Sequence, residues 1–187
     1  MTEVKILVEG YTNADNGESS VEKTCPTITL IKDTNINMIV DPGVLESQQI
    51  LIDKLKEQEL SVNDINIVCI THSHIDHYRN IGMFPEAKTL EFFGLWDKNT
   101  VSDWNENFTN DIKIIKTPGH NYDGLTLLVK TDVGTIAVCG DVFWKKDYPE
   151  KDIYASDDRK LKESREKVLG LADYIIPGHA GMYKVEK

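Results

Sequence analysis

The sequence predicts a layered α/β fold built on mixed β-sheets. Short apolar runs rich in Ile and Val alternate with two amphipathic stretches. Some of those runs follow one another directly, as antiparallel strands do. The residues able to do chemistry fall where the apolar runs stop. Strands interleaved with helices favour sheets covered by helices, and consecutive strands add antiparallel pairs, so the sheets are mixed.

Taken in order, "VKILVEG" (4–10) reads as a strand, and the polar, Gly- and Asn-containing 11–24 as a long loop. "TITLIKD" (27–33) and "INMIVD" (36–41) are strands joined by a turn at Thr34-Asn35. "ESQQILIDKLKEQEL" (46–60) sets Ile50, Leu51, Ile52 and Leu55 near helical spacing and predicts an amphipathic helix. "INIVCI" is short and wholly apolar, as a buried strand is. Strands follow at 112–116, 124–130 and 133–139, the last two joined by "TDVG". A helix fits 158–172 with Ser156 or Asp157 as its N-cap, and "YIIPGH" (174–179) is a strand running into a turn. The stretch 92–111 has no clear period and receives no assignment.

A length of 187 residues predicts a single domain spanning 1–187. The formal charge of −10 disfavours broad nucleic-acid binding and adhesion to a membrane surface. Three cysteines without a C-x-x-C pair indicate thiols rather than a disulfide framework, with Cys69 and Cys139 in strand-like apolar runs. "MTEVKILVEG" shows no signal peptide and no apolar run approaches the ~20 residues of a membrane span, so a cytoplasmic location is expected.

The chemistry concentrates in "ITHSHIDHYRN" (70–80), which holds three of the five histidines. The other two are His120 in "TPGH" and His179 in "PGHAG". Every candidate lies at a strand end, and half of the six prolines form Pro-Gly pairs at these junctions. Strand ends are where α/β folds assemble sites, because the sheet fixes positions while loops supply side chains. In an extended segment residues i and i+2 point the same way, so His72 and His74 reach one ion together. Asp76 and His77 follow after the chain has turned, and four ligands so close in sequence do not easily enclose one ion. Two ions relieve this. His72, His74 and His120 make one set, Asp76, His77 and His179 a second, and Asp141 has two oxygens with which to bridge. Each ion then keeps room for a shared water or hydroxide, the mark of a catalytic rather than a closed structural site. Nitrogen and carboxylate ligands suit zinc, and also iron or manganese; redox-neutral hydrolysis favours zinc. Two divalent ions against two aspartates and one hydroxide leave the centre net positive, which attracts anionic or carbonyl substrates. A bound metal lowers the pKa of water toward ~7 and so supplies a hydroxide nucleophile at neutral pH. Asp76 can ligate and also accept a hydrogen bond from that hydroxide. Singly, each of these residues has an ordinary explanation: a packed or surface histidine, a turn aspartate. Their joint placement does not.

"THSHIDH", "TPGH", "GD" and "PGH", in that order, resemble the metallo-β-lactamase superfamily of dinuclear hydrolases. The resemblance spans Asp41 to Gly181. It implies a four-layer αββα sandwich of two mixed β-sheets flanked by helices, with the metals at one edge. It also implies the same division of ligands, with Asp141 shared and Asp41 supporting from outside the ligand set. "LVEGY", "THSHIDHYRNIGMFP" and "GDVFW" are most similar to the small single-domain metallo-β-lactamase-domain-containing proteins. Where many members continue the first motif with Gly-Gly, this chain has Tyr78-Arg79-Asn80. No export signal of a true β-lactamase is seen, nor the C-terminal helical domain of glyoxalase II, the inserted domain of the ribonucleases or the flavodoxin domain of the flavo-diiron proteins. The intact second ligand set argues against the single iron of the persulfide dioxygenases.

The expected activity is metal-dependent hydrolysis of a small ester, thioester or lactone. A phosphodiesterase or nuclease using the same hydroxide is the alternative, and a non-catalytic metal-binding protein a third. The pocket is expected from loops 11–24, 92–108 and 144–155, which carry Tyr11, Trp96, Trp104, Trp144, Tyr148 and Tyr154. The plainer reading of these aromatics is cover for the core edge or a contact between copies of the chain in a homodimer. Tyr78 and Tyr122 adjoin ligands and are candidates to donate to a developing oxyanion.

Overall fold

Alternate residues of the same strands enter different apolar clusters, and this sets the architecture. The computed structural model describes residues 2–14 and 21–186. The middle of the polar loop expected over 11–24 lies, at 15–20, outside the described residues. The strands in chain order are β1 (Glu3–Val8), β2 (Tyr11–Thr12), β3 (Thr24–Cys25), β4 (Ile28–Asp33), β5 (Ile36–Val40), β6 (Ile67–Cys69), β7 (Lys88–Glu91), β8 (Gly94–Asp97), β9 (Thr100–Ser102), β10 (Ile112–Lys116), β11 (Leu125–Thr131), β12 (Gly134–Val138), β13 (Tyr174–Ile176) and β14 (Tyr183–Lys184). The helices are α1 (Gln48–Lys56), α2 (Ile75–Tyr78) and α3 (Asp158–Leu171). One sheet runs β1-β4-β5-β6-β7-β8-β9 and the other β10-β11-β12-β13-β14. Both are mixed: β5–β6, β6–β7 and β12–β13 are parallel and the remaining pairs antiparallel.

Met38 and Val40 of β5, with Ile67 and Cys69 of β6, meet Ile112, Ile114, Ile136 and Val138 of the second sheet in a central cluster. Their neighbours Ile39 and Val68 point the other way, into a cluster with Leu51 and Leu55 of α1. Ile115 and Ala137 likewise leave the centre and pack with Val168 of α3. Helix, sheet, sheet, helix is therefore the layer order, with the two-residue side-chain period of a strand deciding which cluster each residue enters. This is the αββα metallo-β-lactamase sandwich implied by the motifs.

Local chemistry adjusts the element limits. Helix α1 starts at the Ser47 cap, whose hydroxyl accepts from the Gln49 N–H at 3.2 Å. It is shorter than 46–60 because Glu59 takes a left-handed φ of 59° and the Leu60 N–H turns back to the Leu55 carbonyl at 3.0 Å. Only Leu51 and Leu55 are buried on it; Ile50 and Ile52 face solvent. Of the two candidate caps for α3, Asp157 is the one used, accepting from the Lys160 N–H at 3.0 Å. The polar 11–24 stretch is pinned at its ends by a two-stranded pairing of Tyr11 with Cys25 and Thr12 with Thr24. The unassigned 92–111 contains β8 and β9, which extend the first sheet. No helix among the described residues is long and apolar enough to cross a membrane.

The C-terminal ends of β5, β6, β12 and β13 lie toward one edge of the sandwich. There the sheets are tied by the Leu125 N–H to the Thr71 carbonyl at 2.8 Å and the Thr27 N–H to the Gly178 carbonyl at 2.6 Å. The functional candidates gather at this edge.

Candidate metal centre

Each candidate follows a rigid strand. His72 comes three residues after the end of β6, and His74 is still extended (φ −84°, ψ 136°) as it caps α2. Asp76 and His77 lie on α2, so the turn that separates them from His72 and His74 is one of helix. His120 sits between β10 and β11, Asp141 just after β12 and His179 just after β13. The structure brings all seven together in two groups, His72–His74–His120–Asp141 and Asp76–His77–His179; within each, one ligand atom per residue lies within 4.8 Å of the others.

The outward face of each imidazole decides what its inward face offers. The Thr71 hydroxyl donates to Asp41 Oδ2 at 2.7 Å, which leaves its lone pairs to accept from His72 Nδ1 at 3.1 Å. Asp41 Oδ2 also lies 2.8 Å from His77 Nδ1, and Asp152 Oδ2 lies 2.6 Å from His120 Nδ1. His179 Nδ1 donates to the Cys25 carbonyl at 3.0 Å. A carbonyl or carboxylate can only accept, and the Thr71 hydroxyl has given its proton to Asp41, so all four histidines keep a proton on Nδ1 and aim Nε2 inward, the atom open to a metal once the ring is neutral. His74 is the exception in presenting Nδ1: it sits 3.0 Å from His72 Nε2 and 2.9 Å from His120 Nε2. One Nδ1 proton cannot satisfy two acceptors, so lone pairs face one another in the metal-free site.

Asp141 stands between the groups. Its Oδ1 is 3.3 Å from His77 Nε2, and its Oδ2 is 3.2 Å from His179 Nε2 and 3.3 Å from His120 Nε2. His77 Nε2 and Asp141 Oδ1 are fully buried yet make no hydrogen bond. Buried polar atoms without a hydrogen-bond partner are rare and costly, and a divalent cation in place of a proton between them resolves both, so the donor set fits divalent metal ions. Burial pushes the His72 pKa well down, and burial followed by the neighbouring imidazoles lowers that of His74. Burial would depress His77 as well, but Asp141 and Asp41 outweigh it and hold it well above the usual imidazole range. For His179 too, Asp141 outweighs burial and raises the pKa. In return His179 and His77 overcome the burial of Asp141 and hold its carboxyl well below the usual range. Burial, with help from Asp76, raises Cys25 to about 11, so it stays a thiol outside the donor set.

A pocket of about 310 Å³ opens over the two groups, lined by His74, Asp76, His120, Asp141 and His179 below and by Ile75, Trp144 and Tyr154 at the side. Trp144 and Tyr154 stack at 5.9 Å, and the Tyr154 hydroxyl donates to Glu22 across the mouth. That hydrogen bond comes first among the causes that raise the Tyr154 pKa to about 12. Of the other loop aromatics, Tyr11 borders an adjoining depression and Trp104 packs against the central core. Trp96 donates to Glu91 on the distant β7–β8 hairpin. Tyr78 turns the opposite way from the pocket, into the apolar layer with α1, and Tyr122 is 62% exposed. Neither borders the pocket, because α2 presents Asp76 to it and carries Tyr78 on its other face. Sequence reasoning missed Thr71, Thr24 and Asp152, whose roles come from contacts 30 or more residues away. The hydroxyl of Thr24 donates to Asp76 Oδ2 at 3.1 Å.

A four-layer sandwich with two His/Asp groups at one edge defines a metallo-hydrolase fold. The sequence model of the Metallo-beta-lactamase superfamily matches residues 26–91. A Methanocaldococcus jannaschii protein named "Probable metallo-hydrolase" is 32% identical over 98% of this chain and 90% of its own. The Xenopus laevis Metallo-beta-lactamase domain-containing protein 1 is 29% identical over 98% of this chain and 82% of its own. Among solved structures, a Thermotoga maritima protein classed with the metallo-β-lactamases superposes with a TM-score of 0.77 at 25% identity, covering 98% of this chain and 99% of that one. The chain belongs to the metallo-β-lactamase superfamily.

Two outcomes follow from this geometry. A Cβ on Gly178 would stand 1.8 Å from Asp141 Oδ1, whereas one on Gly170 meets nothing within 4 Å. Gly178→Ala is expected to displace Asp141 and weaken metal affinity by ~10–100-fold in a chelator competition. Gly170→Ala, in the last turn of α3, is expected to raise stability by at most about 0.5 kcal/mol in thermal melts with affinity unchanged. The second outcome concerns pH. His77 and His179, held protonated by their carboxylates, must shed protons for metal to bind. Metal addition at neutral pH is expected to release protons, and affinity to fall steadily as pH drops, both measured by calorimetry in buffers of different ionisation heat.

Proposed function

We propose that this chain is a two-metal hydrolase, with zinc the expected metal, acting on a small ester, thioester or lactone. His72, His74 and His120 would hold one ion and Asp76, His77 and His179 the other, with Asp141 placed between the two sets. When bound, such ions supply a hydroxide nucleophile at neutral pH and polarise the oxygen of the scissile group. Each residue then has a definite task. The outward acceptors Asp41, Asp152, Thr71 and the Cys25 carbonyl keep bare nitrogens aimed inward. Of the two ligand carboxylates, Asp76 is the more open to the pocket, its side chain 17% exposed against 6% for Asp141. It accepts the proton of the attacking water and returns it to the leaving alkoxide or thiolate. Thr24 fixes the rotamer of Asp76 through one oxygen. Trp144, Tyr154 and Ile75 receive the apolar acyl or lactone portion and exclude bulk water.

The lining of the pocket supports the acyl reading over a phosphodiester. No Lys or Arg is among its described lining residues. Lys23 and Arg79 border the adjoining depression, where Glu22, Glu46 and Asp76 offset them. Polyanionic strands are bound through basic tracks, and the described residues of these two depressions form none.

Metal-loaded protein is expected to hydrolyse p-nitrophenyl acyl esters, acyl thioesters or N-acyl lactones well above its rate on bis(p-nitrophenyl) phosphate or RNA; the opposite order overturns the acyl assignment. His74→Ala and Asp141→Asn are expected to lose bound metal and ~100-fold or more of the activity while far-UV circular dichroism stays unchanged. Full activity with less than one metal per chain overturns the two-ion reading.

A further inference from the structure

We infer that Asp152 is a positioning residue for the first metal set and joins it to the wall of the substrate pocket. The inference rests on the two-metal reading above. Asp152 lies far from every motif in the sequence, on the loop between the pocket residue Trp144 and helix α3. Its side chain is wholly buried, an unfavourable place for a carboxylate without specific partners. It has two. Oδ2 accepts from His120 Nδ1 at 2.6 Å, and Oδ1 accepts from the Tyr154 backbone N–H at 2.8 Å. One carboxylate thus orients a ligand imidazole with one oxygen and the pocket wall with the other.

The surrounding backbone agrees with this role. The Ser156 N–H donates to the His120 carbonyl at 3.0 Å and the Asp157 N–H to the Gly119 carbonyl at 3.0 Å. The Ser156 hydroxyl donates to the same Gly119 carbonyl at 3.0 Å. The loop therefore wraps the turn that carries His120 and is fastened to it on both sides. A Cβ on Gly119 would lie 2.1 Å from the Leu161 N–H nitrogen, so α3 also sits hard against this turn. Asp41 performs the matching service for His77 in the second set. Each set thus has one outward carboxylate on a ligand imidazole, and only that of the first set also holds the pocket wall.

The test is a calorimetric zinc titration of full-length wild type, Asp152→Ala and Asp152→Asn, read alongside the visible spectrum of the cobalt-loaded proteins. Wild type is expected to take two ions. Asp152→Ala is expected to weaken one of the two binding steps by ~10–100-fold, leave the other in place and alter one cobalt signal. Asn keeps a neutral acceptor for only one of the two donors, so Asp152→Asn is expected between Ala and wild type. Two steps of wild-type affinity in Asp152→Ala overturn the inference alone. Equal weakening of both steps in Asp152→Ala and Asp152→Asn overturns it too, since a merely structural residue behaves so. Should Asp152→Ala fail to fold, Asp152→Asn decides by the same two readings. A wild type that takes no ion overturns the two-metal reading itself.

Discussion

The whole edge of the sandwich depends on one constraint: bare imidazole nitrogens and a carboxylate are held facing each other out of water. His72, His77, His120 and His179 are buried, and the Asp141 carboxylate between them is buried too. Left free, the rings would rotate to send lone pairs toward N–H donors. Outward acceptors prevent this by claiming each Nδ1 proton. The repulsion among inward groups is thereby stored in the fold, and unpaired buried groups of this kind cost about 1–3 kcal/mol each, more where charged. Protons on His77 and His179 relieve part of it by pairing with Asp141. A proton and a divalent ion compete for the same lone pairs, and the outward network is indifferent to which one wins.

Holding such a set requires stiffness, and the stiffness comes from where the ligands sit. Asp41 shows how it is reached. It follows β5 with a left-handed φ of 49°, a conformation costing of order 1–3 kcal/mol for a residue with a side chain. From there Oδ1 accepts from the Thr71 N–H at 2.8 Å while Oδ2 accepts from the Thr71 hydroxyl and faces His77. A single carboxylate thereby fixes the start of the His-rich segment and a ring six residues further along it. The Thr71 carbonyl in turn receives the Leu125 N–H of the second sheet. The strain at Asp41 is matched by interactions that couple both sheets to the ligand segment.

What the sequence reveals follows from how local each feature is. The strand-end placement of His72, His120, Asp141 and His179 is legible because apolar runs stop at those residues and Pro-Gly turns mark three junctions. The two ligand groups follow from a local fact, the switch from extended chain at His74 to helix at Asp76. The β8–β9 extension is not legible. The β7–β8 turn is Phe92-Phe93 and the β8–β9 turn is Lys98-Asn99, with Lys98 at φ 55°; neither has the glycine that usually signals a tight hairpin. All of β9 is exposed, so alternation vanishes as well. Asp152 and Thr24 are hidden for another reason. Each touches a ligand across 32 or 52 residues of chain, and nothing nearby distinguishes them from any other loop aspartate or threonine. Tyr78 follows Asp76 by two residues, about 200° around a helix, and so packs into the α1 layer while Asp76 lines the pocket.

The charge of the chain and the charge of its pocket act at different ranges. A net −10 spread over the surface is screened beyond roughly 8–10 Å at physiological ionic strength. Inside the pocket the carboxylates of Asp76, Asp141 and Glu22 stand without a Lys or Arg beside them. Glu22 is partly occupied by the Tyr154 hydroxyl, leaving the two aspartates on the floor. There they face the imidazoles of His77 and His179, whose protonation only offsets their charge; two divalent ions in the proposed sites would carry the reversal through to a net positive floor. Attraction for substrate and the capacity to react with it are then switched on by the same event. The apolar wall of Trp144 and Ile75 keeps that reversal strong by limiting water. An acidic protein can in this way present a locally positive centre to the small acyl compound proposed as its substrate.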